Sequence, residues 1–289
     1  APAVNSYHGR HAVAVNARGD MSVVMRGCVD DANEHCGFLL WERPVGGVWS
    51  GPQLVYEDGG TWAGGRDEGH DVALDDGRTL TLVWNAGAAG DLTGELKVAV
   101  KPYGGHLTSP QTVGSGNAPH VAVSPNGQAT LIWYLGALEQ RATPLLATYR
   151  TGSEPFPTAT LLDTRALPDP RTYEVPPTGT VDSRGNAYLT WRHSIYNSRG
   201  TGDTGRAYVV RKPAGADFQP PQLLGAQSAS AGYPKLASNR AGQVVAGWWD
   251  GARARETLWA NFGSGGKPLG KRRKVESGRS VLGGTPAVP

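Results

Sequence analysis

Apolar and polar residues alternate along this chain in short runs, and each pair of runs is separated by a turn containing Gly or Asn. The clearest instance is the apolar run Val121–Val123, the turn Ser124-Pro-Asn-Gly127, and a second apolar run, Ala129–Trp133, that ends in an aromatic residue. Alternation with a period of two predicts half-buried β-strands, and turns of this composition between them predict hairpins. The chain is therefore predicted to consist largely of consecutive antiparallel hairpins.

This pattern occurs five times. The bulky residue that ends the second strand marks each copy, at Met25, Trp84, Trp133, Trp191 and Trp248, and the intervals are 59, 49, 58 and 57 residues. Each interval also holds two further strand-like segments, and a repeat of about 40–50 residues or slightly more is typical of one four-stranded propeller blade. We predict an all-β fold, a single five-bladed β-propeller of four-stranded antiparallel blades, with these tryptophans packed between blades.

The repeats predict one domain over residues 1–289. The expected blades span about 8–58, 67–114, 117–163, 175–225 and 232–276. Residues 277–289 follow the fifth unit, and Gly284-Thr-Pro-Ala-Val-Pro289 resembles the lead-in Ala118-Pro-His-Val-Ala-Val123. Two interpretations stay open: a tail that helps to close the ring, which we prefer, and a truncated sixth unit.

Composition argues against helices. The 289 residues include 41 Gly and 21 Pro, which together make 21% of the chain, against about 12% in average proteins. In a helix interior each Gly costs about 1 kcal/mol and each Pro about 3 kcal/mol, so long helices are not expected. Hydrophobic residues at 39% and nine Trp provide enough apolar area for a core.

Charge and hydropathy exclude two classes of partner. The formal net charge is +3, too small to indicate a nucleic-acid partner. The basic run Lys271–Lys274 is expected in the fourth strand of the fifth unit, where basic side chains discourage pairing between sheet edges. No apolar run approaches the ~18 residues of a membrane span. We predict no nucleic-acid partner, no membrane span and no cofactor, and the sequence leaves the oligomeric state open.

The two cysteines bear on localisation. Cys28 and Cys36 enclose a polar loop between two apolar runs, so we predict a disulfide across a hairpin. Such a bond favours a secreted, extracellular protein, and the opening Ala1-Pro2-Ala3-Val4 is compatible with the mature end left by a signal peptidase. The alternative is a zinc site with His35 as a third ligand, which would lack the second ligand cluster usual for zinc.

The repeat pattern resembles that of secreted bacterial β-propellers, whose units read roughly P-x-Φ-A-Φ-x-x-x-G-x-Φ-x-Φ-x-W and then R-x-x-G-x-W-x-x-P-x-x-L. These proteins are grouped loosely with sialidase-like and lectin-like propellers. The resemblance covers nearly the whole chain and implies fold and export more than an activity. The sialidase Asp-box is not reproduced, because Asp182-Ser-Arg-Gly185 is followed by two extra residues before Trp191, and no arginine triad is evident.

Polar residues concentrate in loops that would share one rim of a propeller. These are the loops leading into the innermost strands and those joining second and third strands, and ligands usually bind at such a mouth. Charged groups form paired hydrogen bonds with hydroxyls, and aromatic faces stack on sugar rings. We predict a lectin-like module that binds a glycan or another small polar ligand. The ligand-binding candidates are Arg66, Asp67, Tyr173, Glu174, Arg192 and His193.

An enzyme at the same rim is the alternative. Glycoside hydrolysis needs two carboxylates on opposite sides of the scissile bond, and the acidic candidates are Asp67, Glu68, Glu174 and Asp250. A polysaccharide lyase would instead use Arg192, His193 and Tyr196. A third possibility is a scaffold whose rim charges only solvate the loops. We prefer the binding module, because no catalytic constellation is complete.

Metal binding is a further possibility at the mouth. His11 and His70 hold equivalent positions in adjacent units, and His120 is one residue out of register. Three imidazoles converging on a channel could hold a transition metal. The fourth and fifth units have Pro177 and Pro234 at the equivalent position, so no metal site is favoured.

Overall fold

Strands account for all regular secondary structure in the part of the chain that the structure describes. This computed structural model describes residues 11–29, 35–57, 69–86, 94–135, 144–152, 154–163, 177–196, 203–225, 232, 234–250 and 256–278. No helix that could cross a membrane occurs within those ranges.

Five sheets each contain four antiparallel strands in chain order. The first has β1 (His11–Val15), β2 (Met21–Cys28), β3 (Cys36–Arg43) and β4 (Gln53–Glu57). The second has β5 (His70–Leu74), β6 (Leu80–Asn85), β7 (Glu95–Lys101) and β8 (Gln111–Ser115). The third has β9 (Asn117–Val123), β10 (Ala129–Tyr134), β11 (Leu145–Arg150) and β12 (Thr160–Asp163). The fourth has β13 (Thr178–Val181), β14 (Ala187–Tyr196), β15 (Asp203–Lys212) and β16 (Gln222–Leu223). The fifth has β17 (Lys235–Ser238), β18 (Gln243–Asp250), β19 (Glu256–Ser264) and β20 (Arg273–Gly278).

Neighbouring sheets meet through their first strands. β1 contacts β5, β5 contacts β9, β9 contacts β13, and β13 contacts β17. The first strand of each sheet is therefore the innermost, and each sheet is a blade, numbered one to five in chain order. The predicted all-β fold with five four-stranded antiparallel blades is confirmed.

Tryptophans fill the seams between blades, as predicted. Trp84, Trp133, Trp191 and Trp248 are each at most 2% exposed. Each lies in an apolar cluster that draws on two adjacent blades. Burying one such side chain removes about 150–250 Å² from water, worth about 4–6 kcal/mol at 25 cal/mol/Å². The blades are thus held together mainly by these clusters.

The hairpin turns between first and second strands share one internal design. In blade four the Asp182 Oδ1 atom accepts hydrogen bonds from the N–H groups of Arg184 and Asn186, both at 2.9 Å. Gly185 then takes φ +83°, a left-handed conformation that favours glycine. In blade two the glycine stands one residue earlier, and Arg78 adopts φ +64° instead. The Arg78 guanidinium contacts Asp20 of blade one at 3.0 Å.

One detail of the predicted strands is wrong. The fourth strand of blade five, β20, begins at Arg273, so Lys271 and Arg272 precede it. The Arg272 guanidinium instead lies 4.3 Å from the centre of the Trp259 ring. This cation–π contact holds Arg272 against the blade rather than at a free sheet edge.

Candidate functional site

Polar side chains occupy the same level of four consecutive inner strands. Asp71 of β5, His120 of β9, Thr178 of β13 and Lys235 of β17 each lie four residues before the hairpin turn of their blade. Blade one has the buried Ala12 at this position. The inner strands begin at the rim where the polar loops were predicted, so these four residues lie near the mouth. We call them the mouth cluster.

His120 connects three blades within the mouth cluster. Its Nδ1 atom lies 2.6 Å from the Asp71 Oδ2 atom of blade two, and its Nε2 atom lies 3.3 Å from the carbonyl oxygen of Gly179 in blade four. The same Asp71 oxygen accepts a hydrogen bond from the N–H of Val121 at 3.0 Å. The side chains of Asp71 and His120 are both 24% exposed, so a ligand could reach them from the mouth.

Electrostatics favours the charged form of His120. Burial on its own would lower the pKa of this imidazole, but the Asp71 carboxylate and the Gly179 carbonyl outweigh burial and raise the pKa above its ordinary value. The ammonium group of Lys235 has a weaker, opposite effect. Hydrogen bonds from both ring nitrogens to Asp71 and Gly179 require a protonated imidazole. The mouth therefore combines a carboxylate, an imidazole, a hydroxyl and an ammonium group.

The disulfide lies at the same rim. Cys28 ends β2, Cys36 begins β3, and the two are bonded as predicted. His35 is next to the bond, with its Nδ1 atom 2.9 Å from Glu57 Oε1. The disulfide joins the end of β2 to the start of β3. It also rules out the zinc alternative, because both thiols are consumed.

Most of the predicted ligand-binding residues fall outside the described ranges, namely Arg66, Asp67, Tyr173 and Glu174. Glu68, an acidic candidate for the enzyme alternative, lies outside them too. Asp71 follows Glu68 by three residues and Thr178 follows Glu174 by four. The chain therefore delivers both predicted loops directly to the mouth cluster, while their roles stay predictions.

Arg192, His193 and Tyr196 belong to a strand, so their assignment to a loop was wrong. All three lie in β14, where His193 pairs with Arg206 and Tyr196 pairs with Asp203. Arg192 is only 4% exposed. Its guanidinium lies directly over Gly205, where an added Cβ would collide with it. Ligand binding by Arg192 would need this buried group to be uncovered.

Asp250, an acidic candidate, is the last residue of β18 rather than a loop residue. Its Oδ2 atom accepts a hydrogen bond from Arg272 Nη1 at 3.2 Å, and its side chain is 13% exposed. Burial raises the pKa of Asp250, and the Arg272 charge only partly offsets that rise. Asp250 is thus paired within blade five.

The three histidines considered for metal binding lie in different environments. His11 and His70 occupy equivalent register positions, opposite Met25 and Trp84. His11 is exposed, whereas His70 is buried with its Nε2 atom 3.3 Å from the Val24 carbonyl oxygen. No group of three or more His, Cys, Asp or Glu side chains arranged for a metal occurs among the described residues.

Sequence reasoning passed over three members of the mouth cluster. Asp71, Thr178 and Lys235 stand at the starts of inner strands but were not selected as candidates. Their position four residues before the turn was the available signal, since the same count locates His120. The count alone does not show that the Asp71 and His120 side chains meet.

Comparison with known proteins supports the fold. No family model and no curated protein matches the sequence. Among solved structures, the GH93 α-L-arabinofuranosidase of Fusarium graminearum with arabinobiose has a TM-score of 0.53 at 11% identity, covering 91% of this chain and 79% of that chain. An α-L-arabinofuranosidase of the same organism with an iminosugar inhibitor gives 0.50 at 10%, covering 86% and 76%. The lectin of Aleuria aurantia with Fucalpha1-6GlcNAc gives 0.40 at 12%, covering 92% and 96%. At such identities the similarity shows a β-propeller fold alone.

Proposed function

We propose that this protein is an exported carbohydrate-binding propeller that holds its ligand at the mouth where the inner strands begin. The observation that carries the proposal is the mouth cluster, in which Asp71, His120, Thr178 and Lys235 present four kinds of polar group at one level of adjacent strands. Rigid strands hold polar groups more accurately than loops do, which suits recognition of a ligand with fixed stereochemistry.

The chemistry of the cluster suits sugar hydroxyls. A hydroxyl both donates and accepts, so the hydroxyls of one sugar can donate to an acceptor such as Asp71 and accept from a donor such as Lys235. Loops that carry Arg66, Asp67, Tyr173 and Glu174 lead straight into β5 and β13. Tyr173 would supply the aromatic face on which the apolar side of a sugar ring stacks.

The bonding of His120 favours binding over catalysis. Both ring nitrogens already bond protein atoms, at Asp71 and Gly179. A general base needs a free nitrogen within hydrogen-bond reach of the proton that it removes. In this geometry His120 holds Asp71 and the neighbouring blades in place. A hydrolase or lyase at the same rim would have to rely on the loop residues.

Two further observations support the proposal. The structurally similar arabinofuranosidase was solved with arabinobiose, so pentose oligosaccharides belong among the ligands tested. The Cys28–Cys36 disulfide is the kind of bond that persists outside the reducing cytosol, which supports export.

A glycan array followed by calorimetric titration of the best ligand tests the proposal. Replacing Lys235 by Gln should weaken binding about 10- to 100-fold, the loss of one hydrogen bond to a charged group. Lys267→Gln is the matched control, because Lys267 lies on the opposite rim, in the loop between β19 and β20, and should leave affinity unchanged.

A parallel turnover screen on the same glycans separates the two classes. Product formation at catalytic rates would support the hydrolase or lyase alternative instead. Absence of both binding and turnover, or equal losses in the two lysine variants, would refute carbohydrate binding at this mouth.

A further inference from the structure

An open groove of about 660 Å³ lies between the outer strands of blades four and five. Blade four contributes residues 222–225 to its lining, and blade five contributes Asn261 and residues 269–272. None of these residues belongs to the mouth cluster. A ligand in this groove would therefore occupy a second site, separate from the mouth.

Small residues in blade five leave this space open. The backbone of Leu269 is bonded to the side chain of Gln222 in blade four. The backbone of Phe156 in blade three is bonded in the same way to the glutamine that begins β8, so Leu269 and Phe156 hold equivalent positions. Blade five thus has Leu269 and Gly270 where blade three has Phe156 and Pro157. Less side-chain volume covers the outer edge of the seam between blades four and five.

Gln222 fixes the two walls of the groove relative to each other. Its Nε2 atom donates to the Leu269 carbonyl oxygen at 2.8 Å, and its Oε1 atom accepts from the Leu269 N–H at 3.1 Å. Leu224 and Leu269 are buried in the apolar cluster that blades four and five share. The groove therefore exists before a ligand binds, which reduces the entropy cost of binding.

Asn261 supplies an unused hydrogen-bond acceptor in the groove. The residue is 3% exposed, and it pairs with Ala246, which faces blade four. Its Nδ2 atom donates to the Gly270 carbonyl oxygen at 2.6 Å, whereas its Oδ1 atom has no hydrogen-bond partner among the described residues. Thr148, the equivalent residue of blade three, donates its hydroxyl to the Pro157 carbonyl oxygen at 2.7 Å and has no second polar group. Leaving a buried acceptor unbonded is costly, so a ligand that donates to Asn261 gains affinity.

An unused donor lies beside the same groove. The indole N–H of Trp191 donates to Asp163, the last residue of β12 in the preceding blade, and that of Trp133 donates to the last residue of β8. Trp248 is their equivalent in blade five, but its Nε1 atom has no partner within the described part of the chain. A Cβ added to Gly225, which lines the groove, would lie 3.4 Å from that nitrogen. One acceptor and one donor are therefore left without partners at this seam.

Positive charge lies on the blade-five side of the groove. Lys271 is exposed, and it forms no ion pair with any acidic residue that the structure describes. Arg272 is next to it, but its guanidinium is paired with Asp250 at 3.2 Å and packs on the Trp259 ring. Because Asp250 balances the charge of Arg272, the ammonium group of Lys271 is the one available to an anion.

We propose that this groove binds an acidic saccharide, with its carboxylate or sulfate group at Lys271 and its hydroxyl groups at Asn261 and Trp248. Sugar hydroxyls donate and accept, so they match the Asn261 oxygen and the Trp248 N–H together. The apolar side of the ring packs against the leucines of the groove. A phosphodiester group offers acceptors alone and leaves Asn261 unbonded, so a nucleic-acid backbone fits less well. The site does not depend on what the mouth binds.

Calorimetric titration of the full chain with two acidic tetrasaccharides tests the site. The probes are a galacturonic acid tetramer and a sulfated galactose tetramer, and the one that binds identifies the anionic group. The methyl ester or the unsulfated tetramer, which keeps the hydroxyls and lacks the charge, should bind about 10-fold more weakly.

Two lysine variants separate the groove from general attraction of anions. Lys271→Gln should weaken binding of the acidic tetramer about 10-fold, the loss of one charge-assisted hydrogen bond. Lys274→Gln is the matched control, because Lys274 belongs to the same basic run but lies in β20 and does not line the groove. Its affinity should stay within about two-fold of the wild type.

Asn261→Thr tests the hydrogen bond in the groove. Threonine already stands at this position in blade three, so the variant should fold and retain a bond to the Gly270 carbonyl. Binding of the acidic tetramer should weaken about 2- to 10-fold, as expected for one neutral hydrogen bond. Thermal melting checks the fold. Should the variant fail to fold, Leu269→Phe copies Phe156 of blade three, fills the groove and should abolish binding.

The remaining outcomes would overturn the proposal. These are no binding of either acidic tetramer, equal losses in Lys271→Gln and Lys274→Gln, and tighter binding of inorganic polyphosphate than of both tetramers. A loss in Lys235→Gln as large as that in Lys271→Gln would overturn it too, because the ligand would then lie at the mouth. Equal losses in Lys235→Gln and Lys267→Gln would refute only the mouth site, since neither lysine lines the groove.

Discussion

Asp76 of blade two and Arg240 of blade five form an ion pair, with Arg240 Nη2 at 3.0 Å from Asp76 Oδ2. The other carboxylate oxygen of Asp76 accepts a hydrogen bond from the N–H of Ala17 in blade one at 3.1 Å. The Asp76 backbone N–H donates to the carbonyl oxygen of Pro125 in blade three at 3.1 Å. One residue thus links the hairpin turns of four blades at the rim opposite the mouth cluster.

Removing Asp76 should cost more stability than removing Arg240. Arg240→Ala loses one ion pair whose arginine is 60% exposed, worth about 0.2–1 kcal/mol. Asp76→Ala also leaves the Ala17 N–H without its acceptor, for a total of about 1–2 kcal/mol. Urea unfolding of both single variants and the double variant measures the difference. Equal losses in the single variants would show that Asp76 contributes only through Arg240.

The His120–Asp71 pair should make stability depend on pH around neutrality. Asp71 holds the pKa of His120 above the ordinary value of 6.5, against the effect of burial. A folded-state pKa above the unfolded one gives stabilisation that is complete below pH 6.5 and is lost as pH rises through the folded-state pKa. In the Asp71→Asn variant, the loss of stability with rising pH should be smaller than in the wild type. Melting temperatures across this range test the effect, with NMR titration of His120 as the site-specific check. A wild-type melting temperature that does not fall as the pH rises through this range would contradict the prediction.

Loss of the disulfide should weaken blade one. The bond closes a loop with a sequence separation of 8, for which chain entropy gives about 2.5 kcal/mol. Replacing both Cys28 and Cys36 by Ser should lower the free energy of unfolding by about that amount. Thiol titration of the native wild-type protein should detect no free thiol. Detection of two reactive thiols would show that the bond is absent from the native protein. It would also remove the support that the bond lends to export.

Glu174→Gln distinguishes the functional classes. In an enzyme that uses Glu174 as acid or base, turnover should fall by orders of magnitude while the ligand still binds, since the amide keeps the shape and loses the proton chemistry. In a lectin that uses it, affinity alone should fall, by about 1.5–3 kcal/mol. If Glu174 only solvates its loop, neither quantity should change by more than ~0.5 kcal/mol. Titration calorimetry and a reducing-sugar assay on one preparation decide among these outcomes.

Local pattern was sufficient to predict the blades. The run from Val121 to Trp133 contains a period of two, a turn with Gly127 at φ +83°, and a terminal tryptophan that is 1% exposed. These features act between residues near in sequence, so they can be read from the sequence directly. The disulfide was predictable for the same reason, since Cys28 and Cys36 face each other across one hairpin.

The length of β14 was not predictable in this way. Arg192 to Tyr196 are polar or mixed in character and were assigned to a loop, yet they continue the strand. They do so because β15 runs alongside as far as Asp203 and supplies backbone partners for each of them. A strand extends for as long as a partner strand accepts its hydrogen bonds, and that partner is set by the fold rather than by the local sequence.

The sequence alone determined the alternation, the turns and the spacing that build five similar sheets. Tertiary structure decided which polar residues share a site. Asp71 meets His120 from 49 positions away and Asp76 meets Arg240 from 164 positions away. Neither pair can be recognised from neighbouring residues in the sequence, because the packing of whole blades brings the side chains together. The interaction between two charges depends on their distance in space and not on their separation along the chain.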